Sequence, residues 1–415
     1  MHFADWAGYL IRWFHVIAGI SWIGSSFYFM WLDAYLEKPE TLKPDVEGEL
    51  WMVHSGGFYE VERKRIGAGR MPKTLHWFKY EALFTWISGA FLLGIVYYMN
   101  ASAYMIAPGS RITPHEAVLI GVGTIALSWF VYDGIWQLLG QKLPRLATAL
   151  SVALAGGLAF FFCEIFTGRA AFIHVGAMFG TWMVANVWVR ILPAQQKMID
   201  ATQQGRTPDY ALSGHAKRRS VHNTYMTFPV IFMMISNHYA VAYGGPWNWA
   251  ILFCLVVFGA CTRHVMILKD RPESKKTGKS FAPALTAAVL SAIAAAGMIL
   301  IAADVGSTGS ATAEASRARA RVPFQQVQAI IDNRCVKCHS IHPQITTFGP
   351  TPGGIQFDSP QRIKSLAERI KLRAVVTKTM PFNNLTGITE QERETLGRWV
   401  DQGAHIDERG AQPDE

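Results

Sequence analysis

Long blocks of hydrophobic residues alternate with shorter polar segments over residues 1–304 of the chain. A helix needs about 20 apolar residues to cross the hydrocarbon core of a bilayer. Eight blocks reach that length, at residues 6–32, 77–99, 115–139, 144–163, 169–192, 221–243, 247–268 and 281–304. The pattern therefore predicts an all-α fold that begins with a polytopic bundle of eight transmembrane helices.

The remainder of the chain has a different pattern. Residues 305–321 are rich in Ala, Ser, Thr and Gly and predict a flexible linker. Residues 322–415 have the mixed composition of a small soluble helical domain. Thr389 and Glu392 form a capping-box pattern, which predicts a last helix over residues 390–403.

The composition supports a membrane protein. Half of the 415 residues are hydrophobic and only 17% are charged, whereas soluble domains carry about 25% charged residues. The net charge of +9 is concentrated in short loops between apolar blocks, and the soluble part is close to neutral. We therefore expect no nucleic-acid partner. The N-terminus lacks the basic segment of a cleavable signal peptide.

Basic residues in the loops predict the orientation of the bundle. The loops at 33–76, 140–146, 190–220 and 263–280 together hold 21 Lys and Arg residues, whereas the alternate loops at 100–114, 164–169 and 244–246 hold 2. By the positive-inside rule, the basic loops are cytoplasmic and both termini are periplasmic. The chain is thus predicted to be a multi-pass protein of the bacterial inner membrane. Lys79 and Arg190 are expected to extend to the cytoplasmic surface.

A short motif at the start of the soluble part indicates a redox cofactor. Cys335, Cys338 and His339 form the C-x-x-C-H pattern of c-type haem attachment. On a helix these positions share one face, so two thiols can bond the porphyrin edge while the imidazole reaches the iron. A thioredoxin-like pair does not require the adjacent histidine, and a zinc site would need a second ligand pair. The motif predicts one covalent haem c, which is attached outside the cytoplasm.

The second axial ligand of this haem is predicted to be Met380, the only methionine after residue 322. Methionine opposite histidine raises the haem potential and suits electron transfer. His342 lies too close to His339 in sequence to reach the opposite haem face, and His405 is the alternative ligand. We therefore expect a class I-like cytochrome c domain over residues 322–415.

Ionisable residues inside a bilayer are costly, so each is a functional candidate. Arg12 and His15 lie one turn apart on the first predicted helix, and His15 falls near the middle of the bilayer. The other embedded candidates are Glu81, Asp133, Glu164, His174, Asn186, His238 and His264. Buried b-type haem could be ligated by histidines of different helices, the candidates being His15, His174, His238 and His264. A bundle without haem b is the alternative.

Two stretches of the bundle, WFHVIAGISWIG at 13–24 and ELWMVHSGGFY at 49–59, resemble the PuuD-type membrane urate oxidases. The order of parts, an eight-helix domain followed by a cytochrome c, is also similar to that family. The resemblance implies the oxidation of urate to 5-hydroxyisourate in purine catabolism, with electrons passed to the attached haem. A soluble cytochrome c or a terminal oxidase is then the expected electron acceptor, and membrane lipid surrounds the bundle.

Urate is an electron-rich anion, so its site needs a cation and a base for the protons that leave with the electrons. Arg12 is a candidate to hold the anion, and His15 or Glu81 is a candidate base. These roles are predicted from burial alone.

Three other functions remain open at this point. The bundle could be a quinol- or small-dehydrogenase-type module whose b haems feed the haem c. It could also be a transporter with an added redox domain, which would bind its substrate without reducing the haem. A passive anchor is the weakest alternative, because one helix would suffice for it.

Overall fold

The computed structural model describes residues 3–39, 45–65, 67, 71–107, 110–270, 280–305, 321–348 and 351–406. Most of these residues are helical. The helices of the bundle are α1 (Phe3–Tyr35), α2 (Tyr80–Leu92), α3 (Ala101–Tyr104), α4 (Pro114–Leu138), α5 (Pro144–Ile165), α6 (Gly168–Ala185), α7 (Leu192–Gln203), α8 (Ala211–Ile235), α9 (Ala240–Tyr243), α10 (Asn248–Asp270) and α11 (Ala282–Val305).

Within the described ranges, six helical segments are long and apolar enough to cross a membrane, judged by length and composition. They are Tyr80–Tyr98, Pro114–Leu138, Pro144–Ile165, Gly168–Gln203, Asn248–Lys269 and Ala282–Ile301. Short π-helical segments extend two of them, Leu93–Tyr98 after α2 and Asn186–Ile191 after α6. The chain is therefore a mostly helical protein with the elements of a multi-pass membrane protein.

The other two predicted spans do not meet that criterion. The predicted span 221–243 is helical only to Ile235, and a 3-10 turn at Ser236–His238 separates that part from the short helix α9. Helix α1 covers the whole predicted segment 6–32. Helix α8 begins at Ala211, ten residues before the predicted start at 221, and this added part carries the charged residues Lys217, Arg218 and Arg219. Charge patterning thus misled the prediction of where this helix begins.

The predicted helical fold is confirmed for most of the described residues, but residues 46–64 form an antiparallel hairpin that was not predicted. Strands β1 (Val46–His54) and β2 (Gly57–Lys64) pair Val53 with Phe58 and Met52 with Tyr59. Ser55 and Gly56 both have positive φ, 49° and 77°, as the central residues of a two-residue hairpin turn require. Alternating side chains around this turn are the sequence signal of a hairpin.

Helix α6 is the centre of the bundle. Nearly every side chain from Ala170 to Met178 is buried, and α6 packs against α4, α5 and α8. Thr167 caps its start by accepting a hydrogen bond from the Ala170 amide at 3.3 Å. Large apolar side chains on the outer faces of the bundle are exposed, for example Leu119, Phe130 and Leu138. Such a distribution suits a bundle with a lipid-facing surface.

The C-terminal segment, residues 321–406, has its own cluster of buried apolar side chains around Val327, Ile331, Leu396 and Trp399. Its helices are α12 (Phe324–Arg334), α13 (Pro360–Ser365), α14 (Ala367–Ile370) and α15 (Glu390–Asp401), with a π-helical segment at Lys371–Val376. Helix α15 confirms the predicted last helix, and both hydrogen bonds of its Thr389–Glu392 capping box are present. Most of the predicted linker lies outside the described residues.

Candidate haem site and buried charge cluster

The C-x-x-C-H motif follows α12 and continues its hydrogen bonding. The Cys335 amide donates to the Ile331 carbonyl at 2.7 Å, and the His339 amide donates to the Cys335 carbonyl at 2.9 Å. The second bond joins residues four apart, as in an α-helix. The backbone therefore provides the helical turn that the spacing of two cysteines and a histidine requires.

Both cysteines of the motif are free thiols. Burial raises the pKa of Cys335 to about 12, and the neighbouring Cys338 adds to the shift. Burial also raises the pKa of Cys338. Redox-active C-x-x-C pairs depend on a lowered thiol pKa. The raised pKa of both thiols therefore does not match a disulfide-exchange pair.

The ring of His339 is fixed by a backbone contact. Its Nδ1 lies 3.2 Å from the Ile355 carbonyl oxygen, so Nδ1 donates and the opposite nitrogen, Nε2, is left as the free electron-pair donor. A metal-ligating histidine is commonly oriented in this way. Burial lowers the pKa of His339, opposed by the Ile355 hydrogen bond and helped by the positive charge of Arg369. A neutral imidazole is the form that binds iron.

Met380 is tied to the same interior through Arg393. The Met380 amide donates to the Arg373 carbonyl at 2.9 Å, and its carbonyl accepts from Arg393 Nη1 at 2.8 Å. The charge of Arg393 also acts on the Cys335 thiol. Arg393 thus contacts the Met380 backbone and acts on Cys335, and the two thiols, the oriented imidazole and the methionine are residue types that fit a haem c.

The alternative ligands are less favourably situated. His342 and His405 are both exposed. Among the residues that the structure describes, the one group of three or more potential metal ligands is Glu49, Glu60 and Glu62 on the hairpin. This group does not include Cys335 or Cys338, so the described residues hold no zinc cluster at the C-x-x-C-H motif.

The charge of Glu392 offers a test of what stabilises the C-terminal segment. Burial alone would raise its pKa, but hydrogen bonds from the Thr389 amide and the Arg334 guanidinium outweigh it and lower the pKa below 4.5. The stabilisation is thus complete above pH 4.5 and is lost as the pH falls through the lower, folded-state pKa. We expect Glu392→Gln, which keeps a cap acceptor, to lower the free energy of unfolding by about 1 kcal/mol at neutral pH.

The measurement is thermal unfolding of the segment in the intact chain, followed through its haem absorbance. At a pH below the folded-state pKa of Glu392, wild type and variant should unfold alike. Glu394→Gln, an exposed change on the same helix, is the control and should have little effect at either pH. An equal loss of stability at all pH values would contradict the ionic role of Glu392.

The three residues predicted to act on substrate are not joined by direct contacts between their described side chains. His15 Nδ1 lies 3.0 Å from the Thr85 carbonyl oxygen and 3.0 Å from Ser88 Oγ, so it binds α1 to α2. Arg12 is exposed, and Glu81 is half-buried. Their predicted roles stay predictions.

The candidate ligands for a haem b lie on different elements. His174 is fully buried on α6, and its Nδ1 lies 2.8 Å from the Ala170 carbonyl oxygen. Its Nε2 has no hydrogen-bond partner and packs against Gly121, where a Cβ would lie 2.8 Å away. His264 Nδ1 lies 2.6 Å from the Tyr225 hydroxyl, whereas His238 is exposed.

A buried polar cluster lies where α4, α6 with its π-helical extension, and α8 meet. We call it the Asp133 cluster, and its members are Tyr132, Asp133, Asn186, Arg190, Arg219, His222 and Asn223. Asp133 accepts from Arg219 at 2.5 Å and from Arg190 Nε at 2.9 Å. Arg190 thus pairs with a buried carboxylate instead of simply extending to the surface.

Neutral groups complete the Asp133 cluster. Asn186 Nδ2 donates to Asn223 Oδ1 at 2.9 Å, and the Tyr132 hydroxyl lies 2.7 Å from His222 Nδ1. The Tyr132 ring stacks on Trp182 at 4.6 Å between centroids. Two guanidinium groups face one carboxylate, so the cluster carries a surplus of positive charge beside flat aromatic rings. These are groups that suit a planar anion.

Sequence analysis found only part of this cluster. Asp133 and Asn186 were marked as embedded polar residues, but Arg219 was assigned to a loop because the predicted span began at 221. The structure adds a signal that the sequence does not carry, the π-helical segment at Asn186–Ile191, since such segments occur frequently at functional sites.

Comparison with known proteins gives one match. The family described as Urate oxidase N-terminal matches residues 1–297, which contain the whole Asp133 cluster and His15. Neither the curated proteins nor the solved structures contain a match to the chain. Because the matched region covers well over half of the sequence, the chain belongs to the urate oxidase N-terminal family.

Proposed function

We propose that the protein is an inner-membrane urate oxidase that passes electrons to a covalent haem c in its own C-terminal domain. The observation that carries the proposal is the joining of two features in one chain. Residues 1–297 match the urate oxidase family, and the following segment carries the C-x-x-C-H motif with thiols and an imidazole suited to haem attachment.

The reaction balances without molecular oxygen. Urate and one water give 5-hydroxyisourate, with the loss of two protons and two electrons. The covalent haem, when bound, supplies a one-electron acceptor, so two successive transfers are needed for each urate. A soluble cytochrome c or a terminal oxidase then removes each electron from the protein.

The Asp133 cluster is the proposed binding site for the urate anion. Arg219 and Arg190 provide the cations, the amides of Asn186 and Asn223 provide hydrogen bonds, and His222 provides a base for a departing proton. The earlier candidates Arg12, His15 and Glu81 form the second proposal for this role. Of these three residues, His15 already contacts α2, because its Nδ1 lies 3.0 Å from the Thr85 carbonyl oxygen.

We further propose that α1 and α8 also cross the membrane. Together with the six helical segments named above they make eight spans, with both termini periplasmic. The proposal is supported by the loop charges and by the helical state of both segments. Asp133 lies 19 residues beyond Pro114 on α4, or about 28 Å along the helix. The Asp133 cluster would then face the cytoplasmic side, and the haem would lie outside.

The deciding experiment mixes purified, oxidised holoprotein with urate in the absence of oxygen. We expect the absorption bands of reduced haem c to develop, with two haems reduced for each urate consumed. Xanthine, which lacks the 8-oxo group, is the control substrate and should leave the haem oxidised. A haem that remains oxidised with urate would refute the proposed function.

One observation favours a second candidate, a relay with a b-type haem in the bundle. His174 is completely buried and its Nε2 has no partner, which is unusual for a buried polar atom. A pyridine haemochrome spectrum of the purified chain separates the candidates, because haem b and haem c absorb at different wavelengths. One haem c alone would leave the relay unsupported, and reduction by a quinol would favour it.

A further inference from the structure

The C-terminal segment touches the bundle through the short stretch that follows Met380. Asn383 Nδ2 donates to the Ser102 carbonyl oxygen at 3.2 Å and also to the carbonyl of Ile106. The Phe382 ring lies 4.8 Å from the Tyr104 ring, measured between centroids. Two backbone carbonyls and one aromatic ring of the bundle are thus engaged by two consecutive residues of the other part.

A cation from α6 reaches the same contact. Arg169 Nε donates to Asn237 Oδ1 at 3.0 Å, which orients the guanidinium. Its Cζ lies 5.0 Å from the centroid of Tyr104 and 5.5 Å from that of Phe382. One positive charge therefore interacts with a ring on each side of the contact, and such interactions favour a fixed arrangement.

A second point of close approach lies beside the first. A Cβ built on Gly244 would lie 2.8 Å from Thr379 Cγ2 and 3.1 Å from the Thr377 carbonyl oxygen. Only a residue without a side chain permits this distance between the bundle and the segment. We call the surface formed by Ser102, Tyr104, Ile106, Arg169 and Gly244 the docking seat.

Ring contacts continue from the docking seat into the bundle. Tyr104 lies 5.6 Å from Tyr97, and Tyr97 lies 6.3 Å from the imidazole of His174. The series therefore runs from a fully buried histidine on α6 to Phe382. Phe382 is two residues after Met380, the proposed axial ligand of the haem iron.

We propose that the docking seat holds the C-terminal domain in register and that the contact of Tyr104 with Phe382 is where electrons enter the haem c from the bundle. The proposal rests on the proposed function. Each transfer moves one electron from the bundle to ferric iron, which becomes ferrous, and urate is the ultimate reductant. No covalent bond is formed or broken at either ring. Asn383 and Arg169 are positioning residues, because Asn383 binds two backbone carbonyls of the bundle and Arg169 lies over the two rings.

Docking is tested without any turnover by the double variant Ser102→Cys/Asn383→Cys in the full-length protein, because Asn383 Nδ2 lies only 3.2 Å from the Ser102 carbonyl oxygen. The short distance predicts a disulfide under oxidising conditions, which mass spectrometry of the digested protein detects as a linked peptide pair. The control pair is Ser102→Cys/Glu368→Cys, whose second cysteine replaces an exposed residue of α14. A disulfide in the control pair, or none in the first pair, would overturn the docking seat.

The entry point is tested by Phe382→Leu and Tyr104→Leu. An aromatic pair contributes about 1 kcal/mol, so its loss should lower the docking equilibrium constant roughly fivefold and slow urate-driven haem reduction by up to that factor. The haem midpoint potential and the rate of reduction by dithionite should not change. The control is Phe324→Leu, which removes a ring of the same segment that contacts Trp399 instead.

The results separate this proposal from the function on which it rests. If urate does not reduce the wild-type haem but the disulfide forms, the urate assignment fails, and the variants are compared with a quinol as reductant. Unchanged reduction rates in both leucine variants overturn the entry point. So does a wild-type haem that neither urate nor a quinol reduces.

Discussion

Replacement of both Cys335 and Cys338 by alanine is expected to yield a protein without covalently bound haem. The two thiols are the only cysteines after residue 261, and thioether bonds to the porphyrin cannot form without them. The largest consequence is loss of urate-dependent reduction of an external cytochrome c to background. Haem staining after denaturing electrophoresis measures the covalent haem, and absorbance of the added cytochrome measures electron transfer.

The matched control is the double variant Cys254→Ala/Cys261→Ala. Both residues lie on α10 and are free thiols in the bundle, so the covalent haem and the electron transfer should be retained. Haem that resists denaturation in the Cys335→Ala/Cys338→Ala chain would refute the assignment of the motif. Retained urate oxidation coupled to an external acceptor would instead show that electrons can leave the bundle by another route.

Local signals account for the features that the sequence predicted correctly. The capping box of α15 was recognised because Thr389 and Glu392 are three residues apart and their bonds are local. Helices within the apolar blocks were recognised because a run of about 20 apolar residues has few alternatives to a helix. Both kinds of signal are complete within one short window of sequence.

The hairpin at 46–64 shows a signal that was present but was not used. The alternating strands and the Ser55–Gly56 turn are local, yet the segment was interpreted as a basic cytoplasmic loop with a family-like stretch and not as two strands. Trp51, Val53 and Phe58 are exposed on the hairpin, so these hydrophobic residues do not mark a buried face. Attention to period-two alternation would have predicted the hairpin.

The Asp133 cluster and the docking seat could not be derived from sequence in the same way. Asp133 and Arg219 are separated by 86 residues, and Ser102 and Asn383 by 281. Their meeting depends on how α4, α6 and α8 pack and on how the two parts of the chain dock. No spacing rule predicts these contacts, and Arg219 would fit a cytoplasmic loop equally well by composition.

The exchange Asp133→Leu is expected to be the most destabilising single substitution in the bundle that we consider. Asp133 and Arg219 have side-chain exposures of only 8% and 7%, and leucine leaves two guanidinium groups facing each other without a counter-charge. Removing one partner of a buried ion pair costs about 3–5 kcal/mol. Thermal unfolding of the detergent-solubilised protein measures the loss.

Asp33→Leu provides the comparison, because it also removes a carboxylate that binds two cations. Asp33 lies 3.1 Å from Arg63 and 3.0 Å from Lys217, but its side chain is 35% exposed. Surface pairs of this kind contribute no more than about 1 kcal/mol, so the bundle should remain close to wild type in stability.

If the two variants lose equal stability, the Asp133 cluster is hydrated and is not a buried charge network. If only Asp133→Leu is strongly destabilised, the surplus positive charge is held by the fold itself, and a bound anion should restore part of the loss. Urate added before heating should then raise the unfolding temperature of Asp133→Leu more than that of Asp33→Leu, because only the former presents two uncompensated guanidinium groups.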